Sequence, residues 1–301
     1  MRILIALALA GLVAGPAPAQ EIDGTLAKVR QAGKIVLGVR DAAPPFSYVG
    51  DDQKFVGYSL DICARIVEAV RTELKRPDLK VEYLAVNSST RIPLMTNGTV
   101  DLECGSTTNN VDRQKLVAFT NSHFVTASRF VSKRAAGLKT IDDLKGKTVV
   151  SVSGSVNVAQ INRVNQERKL GLTVAAVRDA VEAFLMVETD RAVAFVMDDV
   201  QLATLIGAAK EPAAYTISEA AFGPPEPYGI MLRRNDPAFK ALVDRATAAL
   251  YRSPEMAAIY RRWFEEPVPP RGVNYAYPMP PAVQRAFARP TDSPDPAAYV
   301  E

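Results

Sequence analysis

The chain has 301 residues, 48% of them hydrophobic and 23% charged, and its 36 Lys and Arg against 33 Asp and Glu leave a formal charge of +3. That length supports about two domains with real cores. Arg and Glu alternate along the helical stretches instead of massing into a basic block, which argues against a dedicated nucleic-acid binder.

Met1-Arg2 is a minimal basic start, Ile3 to Val13 an apolar run, and Ala17-Pro18-Ala19 a small-residue cleavage signal before Gln20. Residues 1–19 are therefore expected to be a signal peptide that directs export to the periplasm. The apolar run is too short for the roughly 20 residues that cross a bilayer, and no Cys follows it, so neither a retained membrane helix nor a lipid anchor is expected. Cleavage would leave 301 − 19 = 282 residues and, without Arg2, a charge of 3 − 1 = +2. Export permits disulfides. Cys63 falls on the apolar face of a helix and Cys104 at a strand end; they are either bonded to each other or two small buried hydrophobes. With a lone His123 besides, almost nothing is left for a Cys/His zinc site or a Ser-His or Cys-His catalytic group, so no cofactor is expected.

Thr25 to Gln31 is the first predicted helix, ended near Gly33. Ile35–Val39 is an apolar run suited to a buried strand, with Arg40 at its carboxyl end, the side on which α/β sheets meet ligands. Pro44 to Tyr48 is expected to be a turn whose two aromatics are either cleft wall or packing. Gly57 to Asp61 opens a long helix with Ile62, Ile66, Val67 and Val70 at helical spacing. Lys80–Val86 alternates like a strand, and Asn87-Ser88-Ser89-Thr90 caps a short helix that begins at Arg91. A cation in a first helical turn opposes the dipole there, which hints at an anionic partner.

Asn97-Gly98 turns the chain into a short strand, Val100–Cys104, that ends at Gly105. Ser106-Thr107-Thr108-Asn109-Asn110-Val111-Asp112-Arg113 follows. This junction suits a small anion: free backbone N–H groups gather at a helix start, hydroxyls cap it, and Arg grips a carboxylate through two parallel hydrogen bonds. An ordinary capped turn has the same local sequence.

Phe124–Lys133 is predicted as one alternating strand, after which a second α/β module begins. Its elements are a short helix at Ile141–Lys145, strands at Lys147–Val152, Leu172–Ala176 and Ala192–Met197, and helices at Val156–Lys169 and Val200–Ala208. Ser153-Gly154-Ser155 makes a second small-residue turn, and Asp198-Asp199 sits at a strand's carboxyl end. A proline-rich return, Gly223 to Pro227, leads to a strand at Tyr228–Leu232. Two amphipathic helices follow, Phe239–Tyr251 and Pro254–Trp263. Glu266 to Glu301 lacks a sustained period and is expected to strap the first module and fray at its end. The organisation is two α/β modules, the second inserted into the first, joined near Phe124–Arg129 and Pro224–Tyr228. Paired crossings of that kind make a hinge, and a small ligand held between the modules could close them.

In this order, Gly38-Val39-Arg40, Gly57-Tyr58-Ser59-Leu60-Asp61, Ser88 to Leu94, Cys104 to Gln114, Phe195 to Asp199 and the closing Trp263 to Pro270 resemble the periplasmic substrate-binding proteins of polar amino-acid ABC transporters (solute-binding protein family 3), and most of all those that take glutamate and aspartate. The likeness covers almost the whole mature chain. It implies a two-domain periplasmic binding protein fold of type II, with residues 20–127 and 229–301 as the first domain, residues 128–228 as the second, and the ligand cleft between them at a two-segment hinge. It implies a monomer that delivers its ligand to a membrane permease. It also implies that Arg113, with Thr108, pairs with the ligand α-carboxylate, that Ser106 and Asp198 take the α-ammonium, and that Arg40, Ser88 and Arg91 hold the side-chain carboxylate. Two positions depart from the pattern. Ala180 stands where a His that contacts that carboxylate is expected, and Val156 where a Thr is expected in the second module's turn, leaving Ser155 and Ser153 there, with Ser155 expected to contact the ligand.

Charge points the same way independently of the resemblance. Arg40, Arg91 and Arg113 against Asp198 give the site about +2; glutamate or aspartate lowers it to about +1, whereas glutamine leaves it unchanged in a desolvated cleft. Acidic ligands are therefore expected over glutamine, asparagine or a broader polar set. The rival from another class is an exported dehydratase of the prephenate or arogenate type on the same fold, which would need a proton donor facing its leaving group.

Overall fold

The computed structural model describes residues 23–300, so the predicted signal peptide lies outside the described residues. Two five-stranded sheets organise the chain. The first runs in the order Lys80–Ala85, Lys34–Val39, Leu102–Glu103, Met231–Arg233, Val117–Phe119; the first three strands are parallel and Met231–Arg233 is antiparallel to both its neighbours. The second repeats that plan with Thr173–Val177, Thr148–Val152, Ala194–Asp198, Ser128–Lys133 and Tyr215–Ile217, where Ser128–Lys133 is the antiparallel strand. Runs such as Ile35-Val36-Leu37 and Val149-Val150 are apolar throughout because parallel strands are covered on both faces. Apolar clusters duly form on both sides of the second sheet, one around Phe184 and Phe195, the other around Phe130 and Ile161. In both sheets the strand order reverses beside the central strand, the place where α/β sheets open a crevice at their carboxyl ends. The fold is the two-lobed α/β fold of type II periplasmic binding proteins.

Several elements differ from expectation for one physical reason: a period of two shows that a segment is extended but not which sheet it joins. Phe124–Lys133 is two strands. Phe124–Thr126 pairs with Glu226–Tyr228 in a two-stranded ribbon, and after Ala127 the chain enters the second sheet as Ser128–Lys133. The strand expected at Tyr228–Leu232 breaks likewise, Glu226–Tyr228 staying in the ribbon while Met231–Arg233 joins the first sheet. The Pro44 turn is part of a small sheet made by Ala42–Ala43, Ser47–Val49 and Phe55–Val56. Of its aromatics Phe46 is packing, its ring 5.2 Å from that of Phe124 and 5.4 Å from that of Tyr228, whereas Tyr48 lines a cavity with Val181 and Phe184 of the second lobe.

The helix Ala180–Glu188 and the strand Val117–Phe119 were not anticipated. Nor was the helix Pro281–Ala288 inside the C-terminal strap. That strap does not fray by Tyr299, whose ring is buried and whose hydroxyl lies 2.8 Å from Ser122 Oγ, because Asp292 and Thr291 are tied to the first lobe just before it. Cys63 and Cys104 are bonded, joining the long helix Tyr58–Leu74 to the end of the strand Leu102–Glu103. Among the described residues no helix is long and apolar enough to cross a membrane.

Candidate functional site

The three arginines singled out in the first lobe converge at the carboxyl ends of its strands, and all are buried, at 5% exposure for Arg40, 3% for Arg91 and 8% for Arg113. Arg40 follows the strand Lys34–Val39, and its backbone N–H donates to Ser47 Oγ at 2.8 Å. Asn87 Oδ1 accepts the backbone N–H groups of Ser89 and Thr90, which sets the start of the helix Arg91–Thr96 and turns Arg91 inward. The Arg91 guanidinium donates to Thr107 Oγ1 and lies 3.9 Å from Glu103 Oε1. Asn110 caps the short helix Val111–Gln114 by accepting the Arg113 N–H at 2.9 Å, and Arg113 Nη1 donates to the Thr108 carbonyl at 2.9 Å. Burial, with repulsion from Arg91, pushes the Arg40 guanidinium down to about 10 and that of Arg113 down to about 9. Both remain charged at neutral pH.

The second lobe contributes from matching places. Asp198 ends the strand Ala194–Asp198, fully buried; one oxygen accepts from Asn157 Nδ2 at 2.8 Å and the other from the Tyr228 hydroxyl. Burial pushes its carboxyl up, against the pull of those two donors. Ser155 caps the helix Val156–Arg168: its Oγ accepts the Val158 N–H at 3.2 Å and donates to the Val152 carbonyl at 2.6 Å. The lobes touch across the cleft. Arg113 Nη2 donates to the Gly154 carbonyl at 3.4 Å, Gln201 Nε2 donates to Ser106 Oγ at 3.1 Å, and Ser89 Oγ donates to Ser153 Oγ at 3.4 Å. Beside Arg113 a cavity of about 640 Å³ is lined by Thr108, Ser155, Gln160 and Glu226.

All eight residues singled out from the sequence, Arg40, Ser88, Arg91, Ser106, Thr108, Arg113, Ser155 and Asp198, are thus buried around one cleft at the carboxyl ends of the two sheets. The Ser155 hydroxyl is already committed to its helix. Ala180 begins the helix Ala180–Glu188, capped by the buried Asp179, which accepts the Glu182 N–H at 2.9 Å.

Five further residues belong to the cleft. Glu103 and Tyr228 are fully buried, and Asn157 and Gln201 nearly so. Glu226 is held by Gln160 Nε2 at 2.8 Å, and its carboxyl is pushed up to about 8 by burial and by Asp198. Gln201 falls in the first turn of the helix Asp199–Ala208 that directly follows Asp198, a nearness in sequence that was available as a signal. Tyr228 offered none, because its hydroxyl reaches Asp198 only from the ribbon between the lobes.

The model of the bacterial extracellular solute-binding proteins, family 3, matches residues 35–266. The chain belongs to that family. This solute-binding protein is 45% identical to the L-glutamate/L-aspartate-binding protein of Pseudomonas aeruginosa over 94% of each chain. It is 41% identical to the glutamate/aspartate import solute-binding protein of Escherichia coli over 96% of each. Among solved structures, a substrate-binding protein of an ABC uptake transporter from Streptococcus pneumoniae with bound histidine superposes with a TM-score of 0.71, at 20% identity, covering 81% of this chain and 98% of that one. That likeness shows the shared fold.

Proposed function

We propose that the protein captures L-glutamate or L-aspartate in the periplasm, between a first lobe of residues 20–127 and 229–301 and a second of residues 128–228, and hands it to the permease of an ABC importer. The observation that carries this reading is the burial of three guanidiniums around one cleft. With Glu103 added to Asp198, the fixed charges sum to 3 − 2 = +1, Glu226 being mostly protonated at neutral pH. A ligand of net charge −1 brings the closed site to about zero, whereas glutamine leaves an uncompensated charge, at a cost of about 3–5 kcal/mol.

Arg113 and Thr108 take the α-carboxylate, Ser106 and Asp198 the α-ammonium, and Arg40, Ser88 and Arg91 the side-chain carboxylate. Ser155 orders the helix start that faces Arg113. Each lobe holds part of the ligand, so closure gains contacts that an open form cannot make. Asp198 serves as an acceptor for Asn157, Tyr228 and an ammonium, which supports a binding role over that of an acid in a dehydratase. Relatives named for glutamate and aspartate at 45% and 41% identity support the same ligand class. A thermal-shift screen tests it: glutamate or aspartate should raise the melting temperature well above glutamine and asparagine, and prephenate should be neither converted nor stabilising. A shift of equal size with glutamine would overturn the acidic preference, and prephenate turnover would overturn the binding role.

A further inference from the structure

Glu103 stands in the strand that leads into the Ser106–Arg113 turn, with no exposed surface and with its Oε1 unpartnered. Its other oxygen accepts from Thr107 Oγ1 at 2.6 Å, and that same Thr107 oxygen accepts from Arg91. Oε1 faces Arg91 at 3.9 Å, beyond a hydrogen bond but within reach of a strong Coulomb interaction, and the Arg40 side chain lies next to it across Gly105. A Cβ on Gly105 would run into both Oε1 of Glu103 and Cγ of Arg40, so the glycine is what lets the carboxylate and the arginine share that space. A buried carboxylate is expensive unless a charge is near it. Here the nearest charges are the two arginines that would hold the ligand's side chain.

We infer that Glu103 is a specificity-determining residue, a built-in counter-anion that competes with the ligand's side-chain carboxylate for Arg91 and Arg40 and so moderates the preference for acidic over amide ligands. The inference rests on the acidic-ligand reading above. Without Glu103 the fixed charge of the cleft rises from +1 to +2, and an added negative charge on the ligand is worth more. Glu103 thereby keeps a cleft of three arginines from holding a dicarboxylate too tightly to release it. Thr107 fits the same role, for it accepts from the cation and donates to the anion without letting them close into a direct pair.

The test is the ratio of the glutamine to the glutamate dissociation constant, measured by isothermal titration for the wild type and Glu103→Gln, which keeps shape and an acceptor for Thr107. The ratio should rise on the order of tenfold in the variant. A residue with only a structural role would move both constants together, so an unchanged ratio overturns the inference, and a fall overturns it in favour of Glu103 merely fixing Arg91 in place. Should Glu103→Gln fail to fold, Glu103→Asp, which withdraws the charge from Arg91, carries the same test with a smaller rise. A wild type that does not favour glutamate would overturn the acidic-ligand reading itself, independently of what the variants do.

Discussion

Glu226 shows what burial does to a single carboxyl at this hinge. Asp198, Arg113, Arg163 and the amide of Gln160 surround it, and desolvation together with Asp198 outweighs the two arginines, moving it from 4.5 to about 8. The folded chain therefore holds a proton that the unfolded chain releases near 4.5. That contribution to stability is complete below 4.5 and is lost as pH rises through about 8. The wild type should lose stability relative to Glu226→Gln on going from about pH 5 to about pH 8, as read from urea unfolding at each pH. His123, whose imidazole burial pushes down to about 3, acts in the opposite direction below its usual value but is common to both proteins. A flat difference, or one of opposite sign, would contradict the account of Glu226. At this scale the arginines were legible because strand ends and helix starts are visible in a sequence. Glu103 was visible only as a strand residue, since its neighbours Arg91 and Arg40 come from a helix start and from the end of another strand.

Two elements make the cleft possible. The turn after Thr148–Val152 places Gly154 against the first lobe: φ is +74°, and a Cβ there would come 2.8 Å from the Ser88 backbone. A side chain is thus excluded twice, by conformation and by the approach of the other lobe. Gly154→Ala should hold the lobes apart and weaken glutamate binding roughly tenfold or more, because the binding-competent closed state becomes rare. Unchanged affinity by isothermal titration would mean that the lobes need not approach this closely. The disulfide between Cys63 and Cys104 spans 41 residues and fastens the long helix to the strand that ends in the arginine turn. Constraining a loop of that length stabilises by roughly 2–4 kcal/mol, so the Cys63→Ala, Cys104→Ala variant should unfold at correspondingly lower urea, and an identical midpoint would contradict that role. The longer helices and the buried parallel strands were legible as periodic or continuous apolar runs, whereas the helices Ala180–Glu188 and Pro281–Ala288 and the strand Val117–Phe119 were not. The breaks at Ala127 and after Tyr228 were not, since the chain stays extended while it passes from one sheet to the next.

The whole molecule is two copies of one sheet plan facing each other across a ribbon of two strands, Phe124–Thr126 and Glu226–Tyr228. Tyr228 gives that ribbon a chemical stake in the site, since its hydroxyl donates to Asp198 and accepts from Gln201. The double crossing was legible in the order of elements, because a second α/β module interrupts the first. The contacts that seal the lobes, Gln201 to Ser106 and Arg113 to Gly154, join residues 95 and 41 positions apart, a separation no local pattern records. The central claim concerns the cleft as a charged whole: three buried arginines, two buried carboxylates and room for one net negative ligand. Isothermal titration of the wild-type protein with glutamate and with glutamine tests it most directly. Glutamate should bind more tightly by at least about a hundredfold, as expected when only the acid neutralises the closed site, and equal dissociation constants would contradict the account.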